Sequence, residues 1–158
     1  MKLDVGCGVK PTGDVNIDLY TDRNLYRRGE GISSVIDTKK IPNFVLANAS
    51  HLPFKDDCFD EVYSNSVLEH VDDYYGMLKE VWRVCRRNGQ IFITTEHRLG
   101  GLFQVFRVFG RRNRGAITKQ RFSRSFFLKT FGVTHIEDMR IKYELLGIPT
   151  GIEVLIQK

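Results

Sequence analysis

Leu3-Asp4-Val5-Gly6-Cys7-Gly8 stands near the start of the chain, and Asn16-Ile17-Asp18 follows it, with Asp18 ten positions after Gly8. The first stretch reads as a short apolar strand running into a glycine turn. The second reads as another strand that closes on an acidic residue. Glycines without a Cβ let a backbone turn sharply and let a ligand lie close against it. An acidic residue closing the second strand of such a unit typically accepts hydrogen bonds from ribose hydroxyls. Many glycine turns are only turns, so the meaning of this one depends on its company.

The 158 residues fit one domain, spanning 1–158, with enough chain to bury a sizeable core. Hydrophobic residues make up 42% of it, which is ordinary for a globular protein. No run of eighteen apolar residues occurs, so the sequence contains no candidate transmembrane segment. Met1-Lys2-Leu3-Asp4 does not read as a signal peptide, because its apolar stretch ends at Asp4. Cys7, Cys58 and Cys85 are scattered and odd in number, which argues for a reduced, cytoplasmic setting and against a zinc site or a disulfide framework. Metal-ligand spacing is found nowhere.

Charge is unevenly placed. From Arg98 to Ile136 the chain carries nine Arg or Lys residues and no Asp or Glu, so the remainder is net acidic. The same stretch holds seven of the eleven Phe residues. A basic, Phe-rich insertion over about 98–124 marks a surface with its own task.

Strands are expected over Lys2–Gly6, Val15–Asp18, Asn43–Ala49, Cys58–Asn65 and Gln90–Thr95. Leu52-Pro53-Phe54 is a loop, because Pro53 cannot continue a central strand. Tyr74, Leu78, Val81, Trp82 and Cys85 recur at helical spacing, and Arg86-Arg87-Asn88-Gly89 supplies a helix end and turn. A short helix from about Ser125 to Phe131 stops at Gly132. Two last strands, Val133–Tyr143 and Gly151–Gln157, flank a turn around Gly147–Gly151. This order predicts an α/β three-layer sandwich around a mostly parallel sheet, closed by an antiparallel hairpin.

Several motifs occur in order: Leu3–Gly8, Asn16-Ile17-Asp18, Ala47-Asn48-Ala49-Ser50-His51-Leu52-Pro53-Phe54, Phe59-Asp60-Glu61-Val62, Val67-Leu68-Glu69-His70-Val71 and Leu78-Lys79-Glu80-Val81-Trp82-Arg83-Val84. Together they resemble the class I S-adenosylmethionine-dependent methyltransferases, and among these the small type 11 proteins. The resemblance implies a Rossmann-like, seven-stranded sheet and S-adenosyl-L-methionine as cofactor. It implies that Gly6, Cys7 and Gly8 lie against the methionine and ribose parts, that Asp4 orients the turn and meets the amino-acid end, and that Asp18 takes the ribose hydroxyls. Asn48, beside Ala49, stands where the family usually places an Asp that reads the adenine amino group; an Asn oxygen can accept the same bond. Ser64 and Asn65, with Ser66, would sit under the sulfonium.

Displacement at a carbon already activated by a sulfonium needs in-line positioning and water exclusion, and a base only for a poor nucleophile. Candidates for that base are Glu69, His70, Glu96 and His97. A structural role for Glu69 and a solvated loop position for His97 compete with the catalytic reading. His51, His135, Trp82 and the tyrosines read as structural.

The sequence also departs from the family pattern. Between Gly8 and Asp18, Val9-Lys10-Pro11-Thr12-Gly13-Asp14 leaves no room for the usual first crossover helix, since helices average about 11–12 residues. That helix is expected to be shortened or absent, as in a subfamily of small methyltransferase-like proteins with the same opening. The family's N-terminal covering helix has no counterpart before the first strand, so the active site is expected to be open or closed by another chain, in a homo- or hetero-oligomer. Arg111, Arg112, Arg114, Lys119 and Arg121 are candidates for an anionic ligand: RNA, a phosphorylated sugar or a membrane surface. Two functions stay open at this level. One is a methyltransferase acting on an unidentified acceptor; the other is a non-catalytic methyltransferase-like binding or partner subunit.

Overall fold

The structure is a computed structural model, and it describes residues 1–8, 10–19, 24–26, 33–35, 38–97, 120, 122–143 and 149–158. In chain order the strands and helices are β1 (Lys2–Val5), β2 (Val15–Asp18), β3 (Asn24–Tyr26), β4 (Ser33–Val35), β5 (Phe44–Leu46), β6 (Phe59–Asn65), α1 (Tyr74–Val84), β7 (Cys85–Glu96), α2 (Arg124–Phe131), β8 (Ile136–Tyr143) and β9 (Pro149–Gln157). Seven strands form one sheet in the order β5-β2-β1-β6-β7-β9-β8, and β3 and β4 pair in a separate small ribbon. β5, β2, β1, β6 and β7 are parallel, while β9 inserts antiparallel between β7 and β8. The Rossmann-like sheet with its closing hairpin therefore stands as the sequence predicts.

Alternation along the strands explains the core. Successive side chains point to opposite faces, so Leu3, Val5, Val62, Ile91, Ile93, Ile152, Val154 and Ile156 form one buried cluster. Met77, Leu78, Val81 and Val84 of α1 and Phe127 of α2 pack into the same cluster, which puts both described helices on that face. On the other face Tyr63 and Phe92 stack across β6 and β7 with ring centroids 5.3 Å apart, and the Lys2 ammonium lies 4.8 Å from the Tyr63 centroid.

Some boundaries move from expectation. The third parallel strand shrinks to Phe44–Leu46, because Asn43 takes a left-handed φ of 47° and Asn48 bridges to His51 in a tight turn. The expected turn after α1 lies within β7: Asn88 has φ 59°, and pairing with β6 passes from Phe59–Cys85 to Glu61–Gln90 across an irregularity. No helix occurs between β1 and β2 among the described residues.

The loop before β6 is lashed to α1 by two of its charged residues. Arg83 donates to the carbonyls of Leu52 (3.1 Å) and Phe54 (2.8 Å), to Asp56 (2.6 Å) and to both oxygens of Glu80 (2.8 Å). Glu80 in turn accepts the Leu52 N–H at 2.7 Å. This gives the Leu52-Pro53-Phe54 and Glu80-Val81-Trp82-Arg83 motifs one shared reason to occur together. The Arg83 hydrogen bonds hold the Glu80 carboxyl below its ordinary 4.5.

Arg83→Ala is expected to cost about 2 kcal/mol by stranding Glu80 and two carbonyls, a fall of roughly 4–8 °C in melting temperature for a domain of this size. Because the folded Glu80 pKa is depressed, its contribution is full above the ordinary carboxylate range and fades as pH falls through the folded value. The melting gap between parent and Arg83→Ala should therefore narrow below about pH 4. A gap independent of pH would contradict this clamp.

Candidate functional site

Register places the site. Val45, Ile17, Val5, Ser64 and Ile93 pair in sequence across five strands, so Leu46, Asp18, Gly6, Asn65 and Thr94 form the next rung at the carboxyl edge. Open parallel sheets bind ligands along that edge. With strands about 4.8 Å apart, the residues beyond this rung can converge on one ligand.

The turn after β1 has the shape that a ligand cradle requires. Gly6 has φ +74°, and a Cβ there would lie 2.3 Å from Val67 Cγ2, so only glycine lets this turn approach the β6 loop. Gly8 has φ +54°, and a Cβ there would meet nothing within 4 Å. It faces open space. The Gly8 N–H donates to Asp18 Oδ2 at 3.0 Å, tying the end of the turn to the end of β2.

What replaces the missing helix is a set of side chains that pin the loop. Asp4, buried at 3% exposure, accepts from both the Thr12 N–H (2.8 Å) and the Thr12 hydroxyl (2.9 Å). Burial raises the Asp4 pKa against the opposing effect of those Thr12 bonds. Asn16, fully buried, accepts from the Gly13 N–H and donates to the Gly13 and Pro42 carbonyls. Asp14 accepts the Lys2 N–H at 2.7 Å. Neither Asn16 nor Thr12 stands out in the sequence as a site residue, although Asn16-x-Asp18 places the anchor and the ligand-facing acid on one strand.

Other expected residues fall into two groups. Gly6, Gly8, Asp18, Asn48 and Asn65 reach the carboxyl edge; Asn48 Oδ1 accepts the Ser50 N–H at 2.9 Å, and Asn65 Oδ1 accepts from the Thr94 hydroxyl. Ser66, with φ 55°, donates its N–H to the Thr94 carbonyl at 3.0 Å, turning the chain away after β6. Cys7, Ala49, Ser64 and Glu69 instead present their side chains to packed interior. Cys7 packs against Ile41 and Phe44, and burial pushes its thiol up to about 12. Ala49 packs on the main core. Leu19, which sequence reasoning passed over, is 53% exposed immediately after Asp18, leaving an apolar surface at the site mouth.

Glu69 is fully buried. Its Oε2 accepts from the Thr95 hydroxyl at 2.9 Å, while Oε1 and the nearby-strand Ser64 Oγ have no hydrogen-bond partner. Burial raises the Glu69 pKa, with Glu96 adding to the rise and the Thr95 bond and His70 opposing it. The Glu69 carbonyl accepts the Gln120 N–H at 3.2 Å, and the Glu96 carbonyl accepts the Phe122 N–H at the same distance. His97, 9% exposed, bridges to Phe122 and donates its N–H to the Thr150 carbonyl. The basic insertion thus leaves the described structure at His97 and rejoins it at Gln120 beside Glu69. Arg111, Arg112, Arg114, Lys119 and Arg121 lie outside the described residues. His70 is half-buried and donates its N–H to the Val67 carbonyl at 2.8 Å.

A buried acid with one unpartnered oxygen is better accommodated neutral than charged. Glu69→Gln should therefore keep the fold, whereas Glu69→Ala should lose about 2 kcal/mol or more. The raised folded pKa makes the parent lose stability as pH rises from the ordinary 4.5 toward the folded value. Glu69→Gln should thus gain on the parent in melting temperature as pH rises through that window. A constant difference between them would show Glu69 to be ionised in the fold.

Comparison with known proteins agrees with this architecture. Residues 3–93 match the type 11 family model described as a methyltransferase domain. An uncharacterized protein of Methanocaldococcus jannaschii is 34% identical over 116 residues, covering 68% of this chain and 47% of that protein. The cycloartenol-C-24-methyltransferase of Arabidopsis thaliana is 32% identical over 102 residues, 60% of this chain and 30% of that enzyme. The demethylmenaquinone methyltransferase of a Geobacillus species is 31% identical over 124 residues, 69% and 51% respectively. The chain thus spans between 30% and 51% of the length of these curated relatives. Among solved structures, an S-adenosylmethionine-dependent methyltransferase from Methanosarcina mazei superposes with a TM-score of 0.65 at 20% identity, covering 99% of this chain and 91% of its own. One from Thermotoga maritima gives 0.66 at 17% identity, covering 99% and 81%. With its ordered motifs, its sheet order and the family match over most of the sheet, the chain belongs to the type 11 methyltransferase-domain family.

Proposed function

We propose that this protein is an S-adenosylmethionine-dependent methyltransferase whose cofactor lies on the Gly6–Gly8 turn. The carrying observation is Gly8: its left-handed backbone faces open space, and its N–H is held on Asp18, the acid at the end of β2. The residues present suit the group. Asp18 can accept from ribose hydroxyls, exposed Leu19 can lie against a flat purine, and Asn48 offers an amide at the next strand end. When bound, the cofactor supplies a methyl carbon already activated by its sulfonium. The chain's own work is then positioning and exclusion of water. Asp4 and Asn16 keep the turn rigid, and Asn65 and Ser66, braced on Thr94, define the floor at the end of β6. Glu69 is enclosed, so we assign it to holding the base of the insertion rather than to proton transfer.

The acceptor side is assigned to the basic insertion, because its described residues Gln120 and Phe122 bond to the carbonyls of Glu69 and Glu96, and Phe122 bridges to His97, at the carboxyl edge. Its Phe and Arg content suits an apolar acceptor carrying an anionic group. The relatives named for cycloartenol and demethylmenaquinone support the apolar part of that reading.

Calorimetry with S-adenosylmethionine tests the cofactor reading. Asp18→Ala should weaken binding roughly 10- to 100-fold, as expected for losing charge-assisted bonds. Gly8→Asn keeps a residue that tolerates the left-handed backbone, so it should fold normally yet bind at least about tenfold more weakly. No binding by the parent at millimolar cofactor would refute the enzyme and favour a binding subunit. For the acceptor, tritiated methyl label transferred in a cell extract should partition into the organic phase. Label in the RNA or protein fraction would overturn the apolar assignment.

A further inference from the structure

A groove of about 490 Å³ lies on the outer side of the helical layer, lined by Tyr75, Leu78, Lys79 and Trp82 of α1 and by Thr130, Phe131 and His135. None of these residues belongs to the cofactor edge. The walls are aromatic: the Trp82 ring stands 5.9 Å from Phe131 and meets His135 edge-on at 5.1 Å. Tyr75, one of the lining residues, is 52% exposed.

The polar groups are few, and the charged one is cationic. No Asp or Glu is among the lining residues. Lys79 makes no ion pair among the described residues, so its ammonium is available to a ligand. The Thr130 hydroxyl donates to the Phe126 carbonyl at 2.9 Å, which leaves its oxygen lone pairs for a donor. His135 Nδ1 lies 3.1 Å from the Gln157 carbonyl, so Nδ1 carries the proton and Nε2 is the atom left for a ligand. Small-molecule sites typically measure about 300–1,000 Å³, with mostly apolar walls and a small number of placed polar groups. This groove meets each of those conditions, and the sign of its one unpaired charge selects the ligand.

We infer that the α1–α2 groove is a second binding site, distinct from the cofactor edge, for an apolar carboxylate such as an acyl or aromatic acid. The apolar body lies against Trp82, Phe131, Leu78 and Tyr75, and the carboxylate meets the Lys79 ammonium. The assignment is independent of the methyl-transfer reading, because it uses no residue of that site.

Trp82 is the only tryptophan in the chain, so its fluorescence reports on this groove alone. Titration with decanoate should give a saturable change in Trp82 emission. Decyltrimethylammonium, with the same chain and the opposite charge, should bind more weakly. Lys79→Glu should weaken decanoate by roughly fivefold, the scale of an exposed charge pair. Lys79→Gln should fall between, and it serves as the neutral variant if charge reversal disturbs the fold. A non-saturable response, equal binding of the two probes, or unchanged affinity in both Lys79 variants would overturn the inference. Loss of the signal in Gly8→Asn would also overturn it, by placing the probe in the cofactor cleft. So would Trp82 emission that varies with protein concentration alone in step with dimer in sedimentation, because the occupant would then be a second copy.

Discussion

Two buried polar side chains carry the connection on which the candidate cofactor edge depends. Parallel neighbours usually need a crossover of a dozen or more residues with a helix in it, yet β1 passes to β2 through Gly6–Asp14 alone. A loop that short, packed against a sheet, leaves backbone groups that must be satisfied from within. Asp4 and Asn16 do this, reaching Thr12, Gly13 and Pro42 from adjacent positions on paired strands. Their burial has a cost, visible in the raised Asp4 pKa, and the Thr12 bonds offset part of it. The result is a turn held firmly enough to keep Gly6 against Val67 and Gly8 facing outward.

A second lashing holds the opposite side of the edge. Arg83 and Glu80 reach from α1 to the Leu52–Asp56 loop, while Ser50 Oγ donates to the Asp73 carbonyl at 2.8 Å, just before α1 begins. The two clamps act on different loops and share no residue. One fixes the end that would meet ribose and methionine, and the other fixes the strand end where Asn48 stands. Between them, the buried contact of Glu69 with Thr95 joins the β6 loop to β7, where the basic insertion departs and returns. The loops proposed to hold cofactor and acceptor are thus anchored to one sheet, as transfer between two bound partners would require.

Much of this was legible in the sequence because it rests on periodicity and turn chemistry. Leu3 and Val5, the α1 positions Leu78 and Val81, and the Gly6 and Gly8 turn announce themselves locally, and so does the gap too short for a helix. Side-chain partners across long separations were not legible. Nothing near Asn16 in the chain reveals Pro42 as its acceptor, and nothing near Glu69 reveals Thr95. The same limit applies to direction. Ser64 and Glu69 sit in the right motifs, but their side chains turn to the helical face rather than to the edge, which depends on strand alternation and on the 3-10 turn at Leu68–His70. The small β3–β4 ribbon also went unforeseen, because three-residue strands carry too little pattern to read.

The central claim is that a helix-free turn, pinned from below by Asp4 and Asn16, serves as the shelf for S-adenosylmethionine. Amide chemical-shift mapping with the cofactor tests it most directly. Shifts concentrated at Gly6–Gly8, Asp18, Leu19, Asn48 and Asn65–Ser66 are the expected result, with the amides of α2 and β8 unmoved. Saturable shifts confined to other parts of the sheet, with Gly8 and Asp18 unaffected, would contradict it.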